Sequence, residues 1–220
     1  MRTVAAERVP RLLLVTDRKT LAPRRFERAL ERVLGSLPGV PFGVYHREPG
    51  LPVRDALREV ERLVRLCRGS RGFHPIVVRG RPDLALAAGA DGVHLQADGL
   101  PPAEVRACWP QLLIGYSGHR VPEVGRVAPH VDYLTFSPIW SSPGKGRAVG
   151  TAALERACRA ARGTPVLALG GVIGAARIRE ALERGAFGVA VVRAVLADRD
   201  PVGAVAAAAL VLGGRRDPRI

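Results

Sequence analysis

The stretch Val131–Gly150, VDYLTFSPIWSSPGKGRAVG, decides the reading of this chain together with Pro165–Val172, PVLALGGV. Each opens as a short aliphatic run of strand length and closes in a glycine-bearing loop. In the first, a strand over Asp132–Ser137 runs into a Ser/Pro/Gly loop with Lys145 set between two glycines. In the second, a strand over Pro165–Leu169 stops on Gly170-Gly171, ahead of a helix starting at Ile173. Strand-to-helix loops of this kind aim backbone N–H groups at one point and suit an anion. Among 34 lysines and arginines only Lys19 and Lys145 are lysine. Lys145 therefore reads as a compact point charge that a planar guanidinium does not replace.

Working outward, the same strand–loop–helix unit repeats. Strands are predicted at Arg11–Thr16, Pro41–Arg47, Pro75–Arg79, Gly92–Leu95, Leu112–Ser117, Asp132–Ser137, Pro165–Leu169 and Phe187–Val192. Helices follow at Pro23–Leu34 with Gly35 as the stop, Pro52–Cys67, Arg81–Ala88, Pro101–Cys108, Val121–Val127, Thr151–Ala161, Ile173–Glu183 and Pro201–Leu212. Eight short aliphatic strands alternating with eight helices predict an α/β TIM (β/α)8 barrel in a single domain, residues 1–212, with a C-terminal tail over 213–220. A doubly wound open sheet is the competing reading. It would carry a glycine fingerprint after the first strand, where the chain has TDRKT, and no GxGxxG or P-loop sequence is present. The echo GADGV (Gly89–Val93) and GAFGV (Gly185–Val189) fits a barrel of repeated units.

Composition bounds the function. The net charge of +14 raises nucleic acid as a partner, but the arginines are spread along helices and mixed with glutamate, as in RFERALERVL, without aromatic interleaving. They read as solvated helix faces that also draw in phosphorylated molecules. Cys67, Cys108 and Cys158 are an odd number without a CxxC pair and read as buried or partly buried thiols in a reducing, cytoplasmic setting. No apolar run has the length of a membrane span.

In a closed parallel barrel the site lies at the C-terminal ends of the strands. The residues there include Tyr45–Glu48, Arg79, Gln96, Ser117, His119, Ser142, Lys145, Gly170, Gly171 and Arg193. The loops after the seventh and eighth strands, Gly170-Gly171 and Val191–Arg193, fit a phosphate site, with Lys145 adding charge. His119, two residues after Ser117, is the candidate proton carrier. His94 reads as core packing, and only one of His46 and Arg47 can face the interior. No His/Cys/Asp cluster has metal-ligand spacing.

These segments, LLLVTD, VYHREPG, ADGVHL, IGYSGH, DYLTFSPIW with GKG, PVLALGGV and GVAVVRAVL, resemble in their order the thiamine-phosphate-synthase/TenI superfamily over nearly the whole length. The resemblance implies a TIM barrel of thiamine biosynthesis. Its synthase members join a hydroxymethylpyrimidine pyrophosphate to a thiazole phosphate with magnesium. Its TenI-type members aromatise a thiazole phosphate carboxylate tautomer by proton transfer without metal.

Departures from the synthase pattern favour the second branch. Of Gln-x-Arg-Glu-Lys at the second strand, only Arg47 and Glu48 remain, with Tyr45 and Pro49 in the outer places. The Asn-Asp pair after the third strand, which carries a magnesium ligand, is Arg79-Gly80. Gly-Gln-Glu-Asp after the fourth is Gln96-Ala97-Asp98-Gly99, with the aspartate one place early, and the Thr-x-Thr-Lys loop is Ser142-Pro143-Gly144-Lys145. VRGRPDLAL (Val78–Leu86), HLQADGLPPAEVRACWP (His94–Pro110) and Ser117-x-His119 resemble the TenI type. The implied enzyme is thus a metal-independent thiazole tautomerase. His119 and Ser117 would be catalytic, and Arg47, Ser142, Lys145, Gly170, Gly171, Val191, Val192 and Arg193 would bind substrate and phosphate. No cofactor is implied, magnesium entering only with the synthase alternative. A non-catalytic thiazole-phosphate-binding regulator is the third reading. The partners implied are a small phosphorylated thiazole and, as an open alternative to a monomer, a second copy in a homodimer. Nucleic acid and membrane are not among them.

Overall fold

The computed structural model describes residues 8–37, 39–142, 146–193, 195 and 198–213. Eight parallel strands form a closed barrel in chain order, as predicted. They are β1 (Leu12–Val15), β2 (Gly43–His46), β3 (Ile76–Arg79), β4 (Gly92–Leu95), β5 (Leu113–Gly118), β6 (Tyr133–Phe136), β7 (Val166–Leu169) and β8 (Gly188–Val191). Closure runs through Leu13 opposite Ala190. The helices are α1 (Pro23–Ser36), α2 (Val53–Arg68), α3 (Pro82–Ala87), α4 (Pro102–Cys108), α5 (Val121–Val127), α6 (Thr151–Ala160), α7 (Gly174–Glu183) and α8 (Pro201–Gly213). Proline begins α1, α3, α4 and α8, where its fixed φ and missing N–H cost nothing. Gly35 does not stop α1; it stays helical and the chain turns at Leu37, whose N–H reaches Val33 O at 2.9 Å.

Period-two alternation divides each strand between two cores. Leu13, Val15, Tyr45, Val77, Leu113, Tyr133, Leu167 and Ala190 fill the barrel interior. Leu12, Leu14, Val44, Ile76, Val78, Val93, Leu95, Ile114, Leu134 and Phe136 face the helices. The helices answer at helical spacing, α1 with Phe26, Leu30 and Val33 and α2 with Val60, Leu63 and Val64. At about 25 cal/mol per Å² of apolar area removed from water, this outer layer is the main stabilising term.

The GADGV/GAFGV echo has a packing cause. Gly89 and Gly185 hold φ of 69° and 88°, which stop a helix in a left-handed turn without a Cβ penalty. At Gly92 and Gly188 an added Cβ would lie 2.0 Å from Leu113 O and Arg11 O, so glycine lets the neighbouring strand close in. Asp91 and Asp132, at the opposite end of the barrel from the site, are used in building it: their carboxylates accept the N–H of Ile76 (2.8 Å) and Ile114 (2.7 Å).

Cys67 is buried and Cys158 half-buried, but Cys108 is exposed. It ends α4, a seven-residue helix that buries only Val105, so the expectation of a buried thiol fails there. Among the described residues no helix is long and apolar enough to cross a membrane.

Candidate active site

Inside the barrel, just below the strand ends, sits a column of polar side chains. His94 on β4 is fully buried. Its Nδ1 lies 2.9 Å from Tyr133 Oη, and its Nε2 lies 3.0 Å from Ser117 Oγ and 3.4 Å from Thr135 Oγ1. Tyr45 stacks on the ring at 4.4 Å. Burial lowers the His94 pKa to about 3, so the imidazole is neutral and shares its one proton within this cluster. Gly115 makes the space: a Cβ there would stand 2.2 Å from Tyr133 Cζ and 2.5 Å from His94 Nδ1. The expectation that His94 packs in the core holds, but it is a hydrogen-bonded hub there.

The mouth over β2 and β3 is cationic. Tyr45 pairs with Val77 and His46 with Val78, so Arg47 and Arg79 leave the two strands side by side. They share the inward parity of Tyr45 and Val77. Burial raises the Tyr45 phenol pKa, and the charges of Arg79 and Arg47 and a hydrogen bond from Gln96 oppose that rise. Gln96 Nε2 donates to Tyr45 Oη at 3.3 Å and to His94 O at 2.5 Å. His46 takes the outward place and meets Glu59 of α2 at 3.1 Å. Arg18 spans Glu48 (3.2 Å) and Glu59 (2.8 Å), tying the loop after β1 to the loop after β2.

His119 follows β5 and is exposed. Its Nδ1–H donates to Ser137 O at 3.0 Å, which leaves Nε2 as the acceptor of the neutral ring. Glu123 of α5 holds the turn, accepting the N–H groups of His119 (3.1 Å) and Arg120 (3.2 Å) on one oxygen and the Tyr116 hydroxyl (2.8 Å) on the other. Burial pushes the Glu123 carboxyl upward in pKa, but these donors outweigh it and hold it below the ordinary value. Ser117 and His119 have separate partners. They lie on one strand end, but Ser117 turns to His94 and His119 to Ser137.

Gly170 and Gly171 end β7 with φ of 94° and 67°. A Cβ on Gly170 would meet Pro138 Cα at 2.8 Å, and one on Gly171 would meet Ser141 O at 2.7 Å. The loop after β6 is pinned there, Ile139 N–H donating to Leu169 O (3.0 Å) and Trp140 N–H to Gly170 O (3.1 Å). Arg177 of α7 lies over the Trp140 ring and donates to Gly171 O. Val191 ends β8, Val192 and Arg193 follow it, and Arg193 Nη2 donates to Ser142 Oγ at 3.4 Å. The structure thus joins the predicted residues Ser142 and Arg193 into one rim. Lys145 lies outside the described residues.

The residues present do not fit the magnesium that the synthase resemblance implies. Hard divalent cations take carboxylate oxygens, and among the described residues no three His, Cys, Asp or Glu side chains converge on a point that could hold one. The end of β3 offers Arg79 and Gly80, and Asp98 after β4 is exposed. Asp17 accepts from Thr20 Oγ1 and the Lys19 N–H within its own turn, and Glu48 is paired with Arg18.

The column of His94, Tyr133 and Thr135 was missed from sequence, as was the pairing of Arg79 with Arg47. Its one signal was a run of inward small or polar places on β4–β6, namely His94, Gly115, Ser117 and Thr135, where an aliphatic core was to be expected.

Comparison with known proteins agrees with this barrel. The family model described as thiamine monophosphate synthase matches residues 12–195, and the chain belongs to that family. It is 40% identical over 195 residues to a putative thiamine-phosphate synthase of Geobacter sulfurreducens, covering 86% of this chain and 88% of that protein. It is 35% identical to the thiamine-phosphate synthase of Chloroflexus aurantiacus, covering 86% and 87%. The thiamine phosphate pyrophosphorylase of Pyrococcus furiosus superposes with a TM-score of 0.77 at 25% identity, over 94% of this chain and 97% of that one. These relatives overturn the tautomerase reading: they cover nearly the whole chain and are named as synthases.

Proposed function

We propose that this chain is a transferase of the thiamine-phosphate-synthase kind, joining hydroxymethylpyrimidine pyrophosphate to thiazole phosphate. The observation that carries this reading is a mouth with two anion-attracting ends. Arg47 and Arg79 stand side by side at the ends of β2 and β3 with inward parity, and Gly170-Gly171 with the Ser142–Arg193 rim stands at the ends of β6–β8. A reaction with one diphosphate and one monophosphate substrate needs two such ends. The thiazole phosphate sits on the backbone of Gly170, Gly171, Val191 and Val192, held by Ser142, Lys145 and Arg193, near the N-terminus of α7. The pyrimidine diphosphate sits under Arg47 and Arg79.

In the transfer, the bond between the pyrimidine methylene carbon and the bridging diphosphate oxygen breaks, and the diphosphate departs with the electron pair. The thiazole nitrogen lone pair forms the new C–N bond, and the nitrogen becomes cationic. Arginines at the departing end stabilise charge as it grows on oxygen. Ser117 belongs to the polar floor with His94, and His119 stands at the end of β5, offering its Nε2 lone pair to a substrate donor. Holding both substrates in line is itself a large contribution.

The test is pyrophosphate release with both substrates and Mg²⁺ in the buffer. One pyrophosphate per thiazole phosphate consumed, and none when either substrate is left out, is the expected result. No release with both present sinks the reading.

A further inference from the structure

We infer that the diphosphate end of this site is a metal-free anion clamp, in which Arg79 beside Arg47 supplies the positive charge that a divalent cation would bring. The inference rests on the transferase reading for the identity of the diphosphate and on the geometry alone for the clamp.

The two arginines follow paired positions on adjacent strands and share inward parity. Both are half-buried, and the charges of both oppose the burial-driven rise in the Tyr45 phenol pKa. Several other arginines do meet carboxylates: Arg18 meets Glu48 and Glu59, Arg62 meets Glu27, Arg106 meets Asp132 and Arg159 meets Glu155. Arg47 and Arg79 have no carboxylate partner among the described residues. The carboxylate in reach of this mouth, Glu48, is neutralised by Arg18.

A half-buried guanidinium without a counter-charge carries an uncompensated desolvation cost. A diphosphate removes that cost by accepting forked, charge-assisted bonds from both side chains. The same positive pair repels a divalent cation, and among the described residues no cluster of three His, Cys, Asp or Glu side chains is present to hold one. The charge is therefore built into the strand ends and arrives with no ion.

The experiment is calorimetric titration of inorganic pyrophosphate into the whole chain, once in EDTA and once in MgCl₂. Pyrophosphate is expected to bind in EDTA, with no tightening by Mg²⁺. Arg79→Met is expected to weaken that binding at least tenfold, and Arg79→Lys, which keeps charge but loses the fork, by less. Circular dichroism and a thermal melt establish that both variants fold, and Arg47→Met is expected to follow Arg79→Met. Binding that needs Mg²⁺, binding unchanged in both Arg79 variants, or no binding in either buffer overturns the clamp. The two readings fail separately. Arg79-dependent pyrophosphate binding without product formation keeps the clamp and sinks the transferase. Product formation with pyrophosphate binding only in Mg²⁺ does the reverse.

Discussion

Tyr133 holds its hydroxyl 2.9 Å from Nδ1 of His94, across a gap that exists because residue 115 between them on β5 has no side chain. Two large polar rings thereby fill the barrel interior below the mouth, and both ring nitrogens of the imidazole find partners. Ser117 and Thr135 complete the set on the Nε2 side. The floor of the site is thus a satisfied polar network, which is rigid when complete and costly when broken.

Gly115→Ala tests that spacing. The new methyl would stand 2.2 Å from one ring and 2.5 Å from the other, with backbone on the far side. Overpacking of this kind costs about 1–3 kcal/mol. For a domain of this size each kcal/mol lowers Tm by roughly 2–4 °C. A melt unchanged within about a degree contradicts the placement of His94 and Tyr133.

The same histidine sets a pH dependence of stability. Its folded pKa is about 3 because burial disfavours the cation, against about 6.5 in the unfolded chain. The folded state binds this proton less readily than the unfolded state, so the contribution is fully present above pH ~6.5. It is lost as pH falls, at up to about 1.4 kcal/mol per pH unit. His94→Gln removes the titration while keeping a side chain able to hydrogen-bond. Denaturant unfolding between pH 7 and pH 5 is expected to show a shallower fall for this variant than for the wild type. Equal slopes contradict a buried neutral imidazole.

The barrel was legible because eight aliphatic runs separated by proline-led helices leave few other closures. Strand ends were legible to within a residue or two for the same reason. What stayed hidden was parity. From sequence, His46 and Arg47 compete for one inward place, and nothing local decides it. The decision is made by Glu59, on a helix thirteen residues away, which takes His46 outward and leaves Arg47 at the mouth. Ser117 and His119 are two apart in sequence, and nothing local says where each side chain goes. The chain leaves β5 at Gly118, where Glu123 captures the His119 N–H and turns the histidine to Ser137. The tautomerase reading rested on the likeness of Ser117-x-His119 to TenI-type enzymes and on the departures from the synthase metal positions, and the relatives named as synthases overturn it.

Glu123 gives a third prediction. Buried, it accepts three hydrogen bonds, two of them from the backbone that presents His119. Glu123→Ala leaves these donors unmet, at about 1–3 kcal/mol for buried groups, and frees the turn. Tyr116→Phe removes one bond and leaves the turn intact, at about 1 kcal/mol. Glu123→Ala is therefore expected to lower kcat well beyond its loss of stability, and Tyr116→Phe to lower stability with little change in kcat. Equal kcat for Glu123→Ala and the wild type, measured well below the melting temperature, removes His119 from the working site.

The last prediction concerns the end of β7. Gly171 has a φ of 67°, and a Cβ there would lie 2.7 Å from Ser141 O and 2.8 Å from Trp140 Cβ. Alanine must therefore either strain the backbone, at about 1–3 kcal/mol, or push the loop after β6 away from β7. That loop carries Ser142, which meets Arg193 across the rim, so the push separates the two groups that close the phosphate end. The diphosphate end, over β2 and β3, is untouched. Gly171→Ala is expected to raise KM for thiazole phosphate on the order of tenfold, the equivalent of about 1.4 kcal/mol, while pyrophosphate binding measured by calorimetry stays at the wild-type value. If pyrophosphate binding weakens as much as KM rises, the two anion ends are not separate, and one shared site takes both substrates.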